Sequence, residues 1–154
     1  TLLAIGKTDN RDLSTLINVY QQRLQHYIKT TFQVIPDIKN SKNLTEDQQK
    51  EKEGELILKS LQSSDILILL DERGKSYSSI AFAEALQKRM NSGMKNLVFV
   101  IGGPYGFSEA VYQRAQQQIS LSAMTFSHQM VRLFFVEQLY RAFTILRNEP
   151  YHHR

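Results

Sequence analysis

An uninterrupted apolar segment that ends in a glycine-rich turn constrains the fold of this chain more than any other feature. Residues 97–101, Leu-Val-Phe-Val-Ile, do not alternate and are too few for a helix, so they predict a strand buried on both faces. The next five residues, Gly-Gly-Pro-Tyr-Gly, allow a tight turn and a close approach of the backbone to a ligand. Because ligands bind at the carboxyl ends of parallel strands, this turn is the first candidate for a functional site.

Apolar and amphipathic segments alternate along the rest of the chain. We expect further strands at 2–5, 31–35 and 66–70, and helices at 11–29, 45–61, 78–92, 108–118 and 128–147. Thr45 and Gln48 have the spacing of a capping box, and Ser78 or Ser79 can cap the third helix. The order predicts an α/β sandwich around a mostly parallel sheet, in one domain that spans residues 1–154.

The last predicted helix is apolar over most of its circumference. Twelve of its positions from Met130 to Leu146 carry apolar side chains, and they do not form a single stripe. A helix of this kind must be covered on two sides, whereas a single apolar stripe needs only one partner surface. We therefore expect one face to pack on the core and another to form a subunit interface in a homodimer.

Composition excludes several classes of protein. The chain has 154 residues, 42% of them hydrophobic and 22% charged, as in a globular domain. It has no cysteine, which excludes disulfides, iron–sulfur clusters and thiolate zinc sites. No segment resembles a membrane span or signal peptide, so a cytoplasmic location is the simplest interpretation. The net charge of +4 permits a nucleic-acid partner but does not require one.

Several candidate motifs remain open on residues alone. The turn at 102–106 is not a G-x-G-x-x-G fingerprint, so it is either a ligand loop or a tight connection. Asp71 and Glu72 could form a metal or acid–base pair, but adjacent loop residues diverge, which favours a solvated loop. The segment 46–53 is almost entirely polar, and we expect it to be solvated as well. Ser122 and His128 lie outside any nucleophile elbow, so a hydrolase is disfavoured.

The carboxyl-terminal segment also has two interpretations. Residues 151–154, Tyr-His-His-Arg, could be a frayed tail. Pro150 stiffens the approach to Tyr151 and His152, however, and the cations Arg141 and Arg147 are near in sequence. An aromatic ring, an acid–base group and cations together suit stacking and phosphate binding on RNA. Residues alone favour the frayed tail.

Motifs spread along the whole chain resemble the RlmH family, the ribosomal RNA large-subunit pseudouridine N3-methyltransferases of the SPOUT superfamily. The matching segments are 3–7, 52–55, 70–75 with 78–79, 99–106, 120–129 with Arg132, 137–142 and 150–152. The block from 120 to 152 is the most specific part of the match. Ser127 is a departure, because many members have proline there, and it bears on loop stiffness.

The resemblance implies a carboxyl-terminal trefoil knot, formed by loops from Gly102 to Phe126, and an S-adenosylmethionine site within those loops, with no metal. The positions that match the cofactor-binding residues of the family are Leu70, Gly102, Leu121, Ser122, Ala123, Met124, Thr125 and Phe126. Apolar side chains and glycine-exposed amides would suit an adenine, and small residues would leave room for a bent cofactor.

The reaction implied by the resemblance is methylation of N3 of a pseudouridine in the 23S rRNA of the assembled ribosome. His152 is our candidate proton acceptor or positioning group, Tyr151 a stacking or hydrogen-bonding partner, and Arg141 a charge stabiliser. His128 and Arg132 are expected to be structural or RNA-facing. Family members are homodimers, so the tail could act on the cofactor of the other subunit. The alternatives are a non-catalytic RNA- or nucleotide-binding module and a small-molecule methyltransferase.

Overall fold

A parallel sheet of five strands forms the centre of the structure. The computed structural model describes residues 1–153. The strands are β1 (Leu2–Ile5), β2 (Phe32–Ile35), β3 (Ile66–Ser76), β4 (Leu97–Ile101) and β5 (Gln117–Ser120), in the spatial order β2-β1-β4-β3-β5. Each neighbouring pair is parallel. The predicted α/β architecture around a parallel sheet is confirmed.

Helices cover both faces of this sheet and make three layers. They are α1 (Arg11–Leu24), α2 (Glu46–Lys59), α3 (Ser79–Asn91), α4 (Glu109–Arg114) and α5 (His128–Leu146), with one 3₁₀ turn at Ser41–Asn43. One core lies between the sheet and α1, α3 and α5, and the other lies between the sheet and α2 and α4. Adjacent residues of β1 point to opposite cores, Leu2 to the first and Leu3 to the second, as strand alternation requires.

Side-chain caps begin four of the helices. The predicted capping box is present, since Thr45 accepts from the Gln48 amide and the Gln48 side chain accepts from the Thr45 amide. Ser78 Oγ accepts from the Ala81 amide at 3.1 Å. Asn10 and Ser127 cap α1 and α5 in the same way. Each cap satisfies an amide that has no partner within its helix.

The largest departure from the predicted elements lies at β3 and β5. The chain continues as β3 to Ser76, where we expected a solvated loop after residue 70, and residues 117–120 form β5, where we expected the end of a helix. A Cβ on Gly74 would lie 2.5 Å from the backbone nitrogen of Ile119, so the absence of a side chain allows β5 to pair here. The register shifts between Leu70 and Lys75.

Two helices are shorter than expected, and one polar segment is partly buried. Helix α1 ends at Leu24 instead of residue 29, and α4 ends at Arg114 instead of residue 118. The segment 46–53 was expected to be solvated, but Glu53 is only 3% exposed. Burial of Glu53 depends on α2 packing beside the loop after β4, which periodicity within α2 does not encode.

Helix α5 lies between α1 and α3 against the sheet, and this position explains its apolar circumference. Its side chains Phe135, Val136, Leu139, Ala142, Phe143 and Ile145 are all buried within the chain. Part of the surface that we assigned to a subunit interface is therefore covered by neighbouring helices. Met130 and Phe134 stay 37% exposed, and Phe134 packs against Phe126 with ring centroids 4.8 Å apart. The homodimer and the trefoil knot both stay predictions.

A buried cation joins α5 to the end of β1. Arg132 has no exposed surface, so of the two roles expected for it, structural or RNA-facing, the structure supports the structural one. Its Nη2 donates to the carbonyl of Ile5 at 2.7 Å, and its Nη1 donates to the carbonyl of Gly6 at 2.8 Å. Burial lowers the pKa of Arg132, and the nearby carboxylates Asp9 and Asp37 act in the opposite direction. The guanidinium therefore satisfies strand-end carbonyls that would otherwise lack partners.

No helix among residues 1–153 combines the length and apolarity needed to cross a membrane.

We predict that Arg132→Met lowers the free energy of unfolding by about 3 kcal/mol, because it leaves the carbonyls of Ile5 and Gly6 buried without donors. Urea denaturation followed by circular dichroism measures this change. The control is Lys88→Met on the exposed face of α3, which should change stability by no more than about 0.5 kcal/mol. Equal stability of the two variants would contradict the role of Arg132.

Candidate functional site

A cavity of about 570 Å³ opens at the carboxyl ends of β4 and β5, beside the middle of β3. Leu70, Ile101 and Gly102 enter it from β3 and β4, and Ser120 and Leu121 enter it from the end of β5. The glycine turn forms one wall, and the segment before α5 forms another. Residues far apart in sequence meet here because parallel strands place their carboxyl ends at one edge of the sheet.

Seven of the eight positions that the resemblance assigned to the cofactor line this cavity. They are Leu70, Gly102, Leu121, Ser122, Met124, Thr125 and Phe126. Ala123 lies in the same loop but is exposed and does not contribute to the lining. The fold therefore brings the two predicted segments, the strand ends and the loop before α5, to one concave surface.

The glycine turn has a backbone that requires glycine at its end. Gly106 adopts a φ of +84°, in the left-handed region, and its amide donates to the carbonyl of Gly103 at 3.3 Å. A Cβ on Gly102 would lie 3.1 Å from the ring of Phe107, which is buried in the core. The turn therefore presents bare backbone to the cavity, as close approach to a ligand demands.

The loop that follows β5 is held by short-range hydrogen bonds and by one contact with β3. Ser122 Oγ accepts from the Met124 amide at 2.9 Å, and Thr125 Oγ1 donates to Glu72 at 2.9 Å. Met124 nevertheless stays 76% exposed. The loop thus has a defined backbone and an accessible apolar side chain at the rim of the cavity.

Asp71 has a buried side chain in a hydrogen-bonded network at the cavity wall, so the predicted solvated loop is wrong for this residue. Its side chain is 6% exposed and accepts from Tyr112 Oη, while Arg73 Nη2 donates to Tyr112 Oη at 2.7 Å. Burial is the main cause of the raised pKa of Tyr112, with a further contribution from Asp71. Tyr112 is a lining residue that sequence reasoning missed, and no local pattern pointed to it.

Charged and polar side chains around the cavity differ in sign and role. Glu46, Asp71 and Glu72 place carboxylates along the lining, and Arg73 is the neighbouring cation. His128 also lines the cavity, and burial, followed by the charge of Arg132, lowers its pKa. The lining is therefore acidic on one side and carries an imidazole that favours its neutral form.

The structure brings the three predicted catalytic residues together around Glu137. Arg141 Nη2 donates to Glu137 Oε1 at 2.5 Å, and Tyr151 Oη donates to the same oxygen at 2.9 Å. Arg141 Nη1 lies 3.4 Å from His152 Nδ1, and its guanidinium stacks over the Tyr151 ring at 4.7 Å from the centroid. The tail is thus packed as far as His152, while Arg154 lies outside the described residues.

Glu137 is the residue of this cluster that sequence reasoning missed, although its spacing offered a signal. It lies four positions before Arg141 on a helix, where opposite charges face each other. Its carboxylate also contributes to the pKa shifts of its neighbours. Burial, then hydrogen bonds to Tyr20 and Glu137, raise the pKa of Tyr151, and the hydrogen bond to Glu137 raises the pKa of Arg141. Tyr151 therefore stays a neutral donor beside a fixed cation.

A second cavity, of about 330 Å³, connects the two parts of the site. It shares Ser120, Leu121, Ser122 and Phe126 with the first cavity and extends to Glu137. Phe134 and Tyr77 contribute aromatic walls. Within one chain, the loop before α5 therefore has the larger cavity on one side and a cavity that reaches the Glu137 cluster on the other.

No group of three or more His, Asp or Glu side chains within residues 1–153 is arranged to hold a metal ion.

A parallel α/β sheet with a loop-lined cavity at its carboxyl edge defines a class of ligand-binding α/β proteins, and comparison with known proteins identifies the family. The family model described as "Predicted SPOUT methyltransferase" matches residues 1–152. The proteins named Ribosomal RNA large subunit methyltransferase H from Flavobacterium johnsoniae and Christiangramia forsetii are 71% and 69% identical over 153 residues. Both alignments cover 99% of this chain and 98% of the relative.

A solved structure supports the fold independently. It is that of a probable methylase family protein from Haemophilus influenzae Rd KW20, with a TM-score of 0.51 and 14% identity, over 99% of this chain and 70% of the other. The chain belongs to the SPOUT methyltransferase family and, within it, to the RlmH proteins. The resemblance drawn from the sequence is confirmed.

We predict that Glu137→Gln lowers the pKa of Tyr151 toward the ordinary value for tyrosine, because it removes the negative charge beside the phenol. Phenolate absorbance as a function of pH measures the shift, and a Tyr151→Phe variant identifies which transition belongs to this residue. Glu84→Gln, on the exposed face of α3, serves as the control. An unchanged titration in Glu137→Gln would show that Glu137 does not determine the protonation of Tyr151.

Proposed function

We propose that this protein is an S-adenosylmethionine-dependent methyltransferase that methylates N3 of a pseudouridine in the 23S rRNA of the assembled ribosome. One observation carries the proposal. The cavity lined by seven of the eight predicted cofactor positions shares the wall 120–122 and Phe126 with a smaller cavity that reaches Glu137. Glu137 in turn accepts hydrogen bonds from Arg141 and Tyr151. The relatives named as rRNA large subunit methyltransferases support the choice of substrate.

The lining of the larger cavity fits the chemistry of the cofactor. Its volume, about 570 Å³, lies within the range of small-molecule sites. Leu70, Leu121 and Phe126 offer apolar surface to an adenine, and the glycine turn offers bare backbone amides and carbonyls. Asp71 and Glu72 would complement the positive charges of the sulfonium and the amino group. No phosphate-binding loop is needed, because the cofactor has no phosphate.

The Glu137 cluster supplies the groups that proton removal from N3 requires. When bound, S-adenosylmethionine supplies an electrophilic methyl group. N3–H of pseudouridine is a weakly acidic imide, so its conjugate base needs a proton acceptor and a nearby cation. His152 accepts the proton, Arg141 stabilises the anion, and the phenol of Tyr151 donates a hydrogen bond or stacks on the base. Glu137 holds Arg141 and Tyr151 in place through two hydrogen bonds.

We extend the proposal to the oligomeric state of the protein, to its knotted topology and to its location in the cell. We propose a homodimer in which exposed Phe126, Met130 and Phe134 are covered, and in which the tail of one subunit acts on the cofactor of the other. We also propose a single domain with a trefoil knot through loops 102–126, as in the family. A bacterial ribosomal substrate would place the protein in the cytoplasm.

We predict that His152→Ala and Tyr151→Phe retain cofactor binding within about threefold but lose at least about 10²-fold in turnover, because the cluster acts on the substrate and not on the cofactor. Calorimetry with S-adenosylmethionine measures binding. Transfer of a labelled methyl group to ribosomes that lack the modification measures turnover. His153→Ala, an exposed neighbour in the tail, is the control.

The same assay separates the alternative functions by substrate. Methyl transfer to ribosomes, with little to the isolated RNA hairpin, supports recognition of an assembled surface, because the net charge of +4 is too small for a strong grip on free RNA. Efficient methylation of the naked hairpin would overturn that part of the proposal. Cofactor binding without any transfer would indicate a non-catalytic module.

We predict that Gly102→Val abolishes cofactor binding without unfolding the protein. A Cβ at this position would already lie 3.1 Å from the Phe107 ring, and further methyl groups would fill the wall of the cavity. Calorimetry measures the loss, and thermal unfolding verifies that the fold is retained. Gln87→Val, on the exposed face of α3 and outside the cavity lining, is the control for the introduction of a valine. Unchanged affinity in Gly102→Val would argue against this cavity as the site.

We predict that Phe134→Asp weakens the homodimer at least about tenfold, because it places a charge in the apolar patch with Phe126 and Met130. Light scattering over a dilution series measures the dissociation. Val34→Asp, an equally exposed apolar residue on the edge strand β2, is the control. A wild-type protein that is monomeric at micromolar concentration would contradict the proposed assembly.

A further inference from the structure

A buried carboxylate supports the glycine turn from behind. Glu53 on α2 is 3% exposed and does not line the cavity. An ideal Cβ on Gly103 would lie 2.7 Å from Glu53 Oε2 and 2.8 Å from Oε1, so the carboxylate lies directly against the backbone of the turn. A side chain at residue 103 would therefore force the carboxylate to move. Glu53 and the cavity thus lie on different sides of the same turn.

The hydrogen bonding of this carboxylate is incomplete. Oε1 accepts from Gln49 Nε2 at 3.0 Å, whereas Oε2 is buried and has no partner within the described residues. The next residue, Gly54, packs beside Ser108, whose buried hydroxyl likewise has no partner. Helix α2 therefore contacts the start and the end of the 103–108 segment, and it brings an unused acceptor to the start.

An unused acceptor of this kind is costly in a folded protein. A buried carboxylate oxygen without a donor loses its hydration and gains nothing in return, so a neutral side chain of the same shape would be more favourable for stability. The donors within reach of a small shift are the backbone amides of the turn, because Gly103 is the part that the carboxylate touches. A change in the conformation of the turn could therefore bring a backbone N–H to Oε2 and complete its hydrogen bonding.

We propose that Glu53 is a positioning residue for cofactor binding: its free oxygen accepts a backbone N–H of the 102–106 turn when the cavity is filled, and this bond holds the turn in its binding conformation. The inference rests on the proposed function, because it concerns the site proposed for S-adenosylmethionine. Glu53 acts through the turn and does not touch the ligand.

The protonation of Glu53 gives the proposal a signature that packing alone would not produce. Burial is the main cause of its raised pKa, Asp37 raises it further, and the hydrogen bond from Gln49 lowers it. When a carboxyl group has a higher pKa in the folded protein than in the unfolded protein, it costs no stability at a pH below the unfolded pKa. The free energy of unfolding then falls as the pH rises from the unfolded pKa to the folded pKa. The ionised carboxylate, in contrast, is the stronger acceptor for the turn. Ionisation of Glu53 is therefore expected to lower the stability of the fold and to strengthen cofactor binding.

The test compares Glu53→Gln with Glu55→Gln, an exposed glutamate on the same helix. We expect Glu53→Gln to bind S-adenosylmethionine about tenfold more weakly by calorimetry, with a melting temperature equal to or above that of the wild type. Wild-type affinity should fall toward that of Glu53→Gln as pH is lowered, because protonation removes the same charge. Glu55→Gln should match the wild type in both measurements.

A second pair of variants keeps the test valid if Glu53→Gln does not fold. Gly103→Ala should weaken binding of S-adenosylmethionine, because its Cβ would occupy the space next to the carboxylate. The double variant Glu53→Ala, Gly103→Ala should lose less binding free energy than the two single variants lose together. Wild-type affinity in Glu53→Gln, or in Gly103→Ala, would overturn the role of Glu53 and leave the proposed function intact. A wild-type protein that does not bind S-adenosylmethionine would overturn both.

Discussion

The pairing of β3 with β5 across Gly74 is the contact on which the site depends. A side chain at Gly74 would collide with the backbone at Ile119, so only glycine lets β3 continue to Ser76 with β5 beside it. This pairing fixes where β5 ends and therefore where the loop 121–127 lies. The loop then closes one side of the cavity, opposite the glycine turn from β4. Without the fifth strand, the two predicted halves of the cofactor site would have no common wall.

Charge is divided between two regions that this loop separates. Carboxylates lie along the larger cavity, which is the site proposed for a cationic cofactor, and the cation of Arg141 lies with the tail, where the proposed reaction would form an anionic base. Each charge is held by a neighbour: Asp71 accepts from Tyr112, and Glu137 accepts from Arg141 and Tyr151. Arg132 and Glu53 differ, because neither has an ion-pair partner among residues 1–153, and each lies against backbone next to the site. At Glu53, whose Oε2 has no donor within the described residues, this arrangement costs stability, which the two buried cores supply.

Much of the architecture could be predicted because its signals are local. The strands at 2–5 and 97–101 are uninterrupted apolar segments, and the Thr45 capping box needs only four residues. Strand β5 could not be predicted, because Gln-Gln-Ile-Ser has neither an apolar run nor alternation, and its stability comes from the neighbouring strand. The same holds for Asp71 and Glu53, whose polar surroundings in sequence indicate solvent. Both are buried by elements that are distant along the chain.

The family, the parallel α/β class, and the segments that carry the predicted cofactor positions and the tail residues could all be identified from the sequence alone. Those properties depend on residue types at fixed spacings, which one chain displays completely. Only the tertiary structure shows which of those residues meet, namely that Glu137 joins Arg141 to Tyr151, that Ala123 does not line the cavity, and that Arg132 is buried. The physical reason is that hydrogen bonds and burial depend on distances between elements, whereas periodicity records only the environment of each element along its own axis.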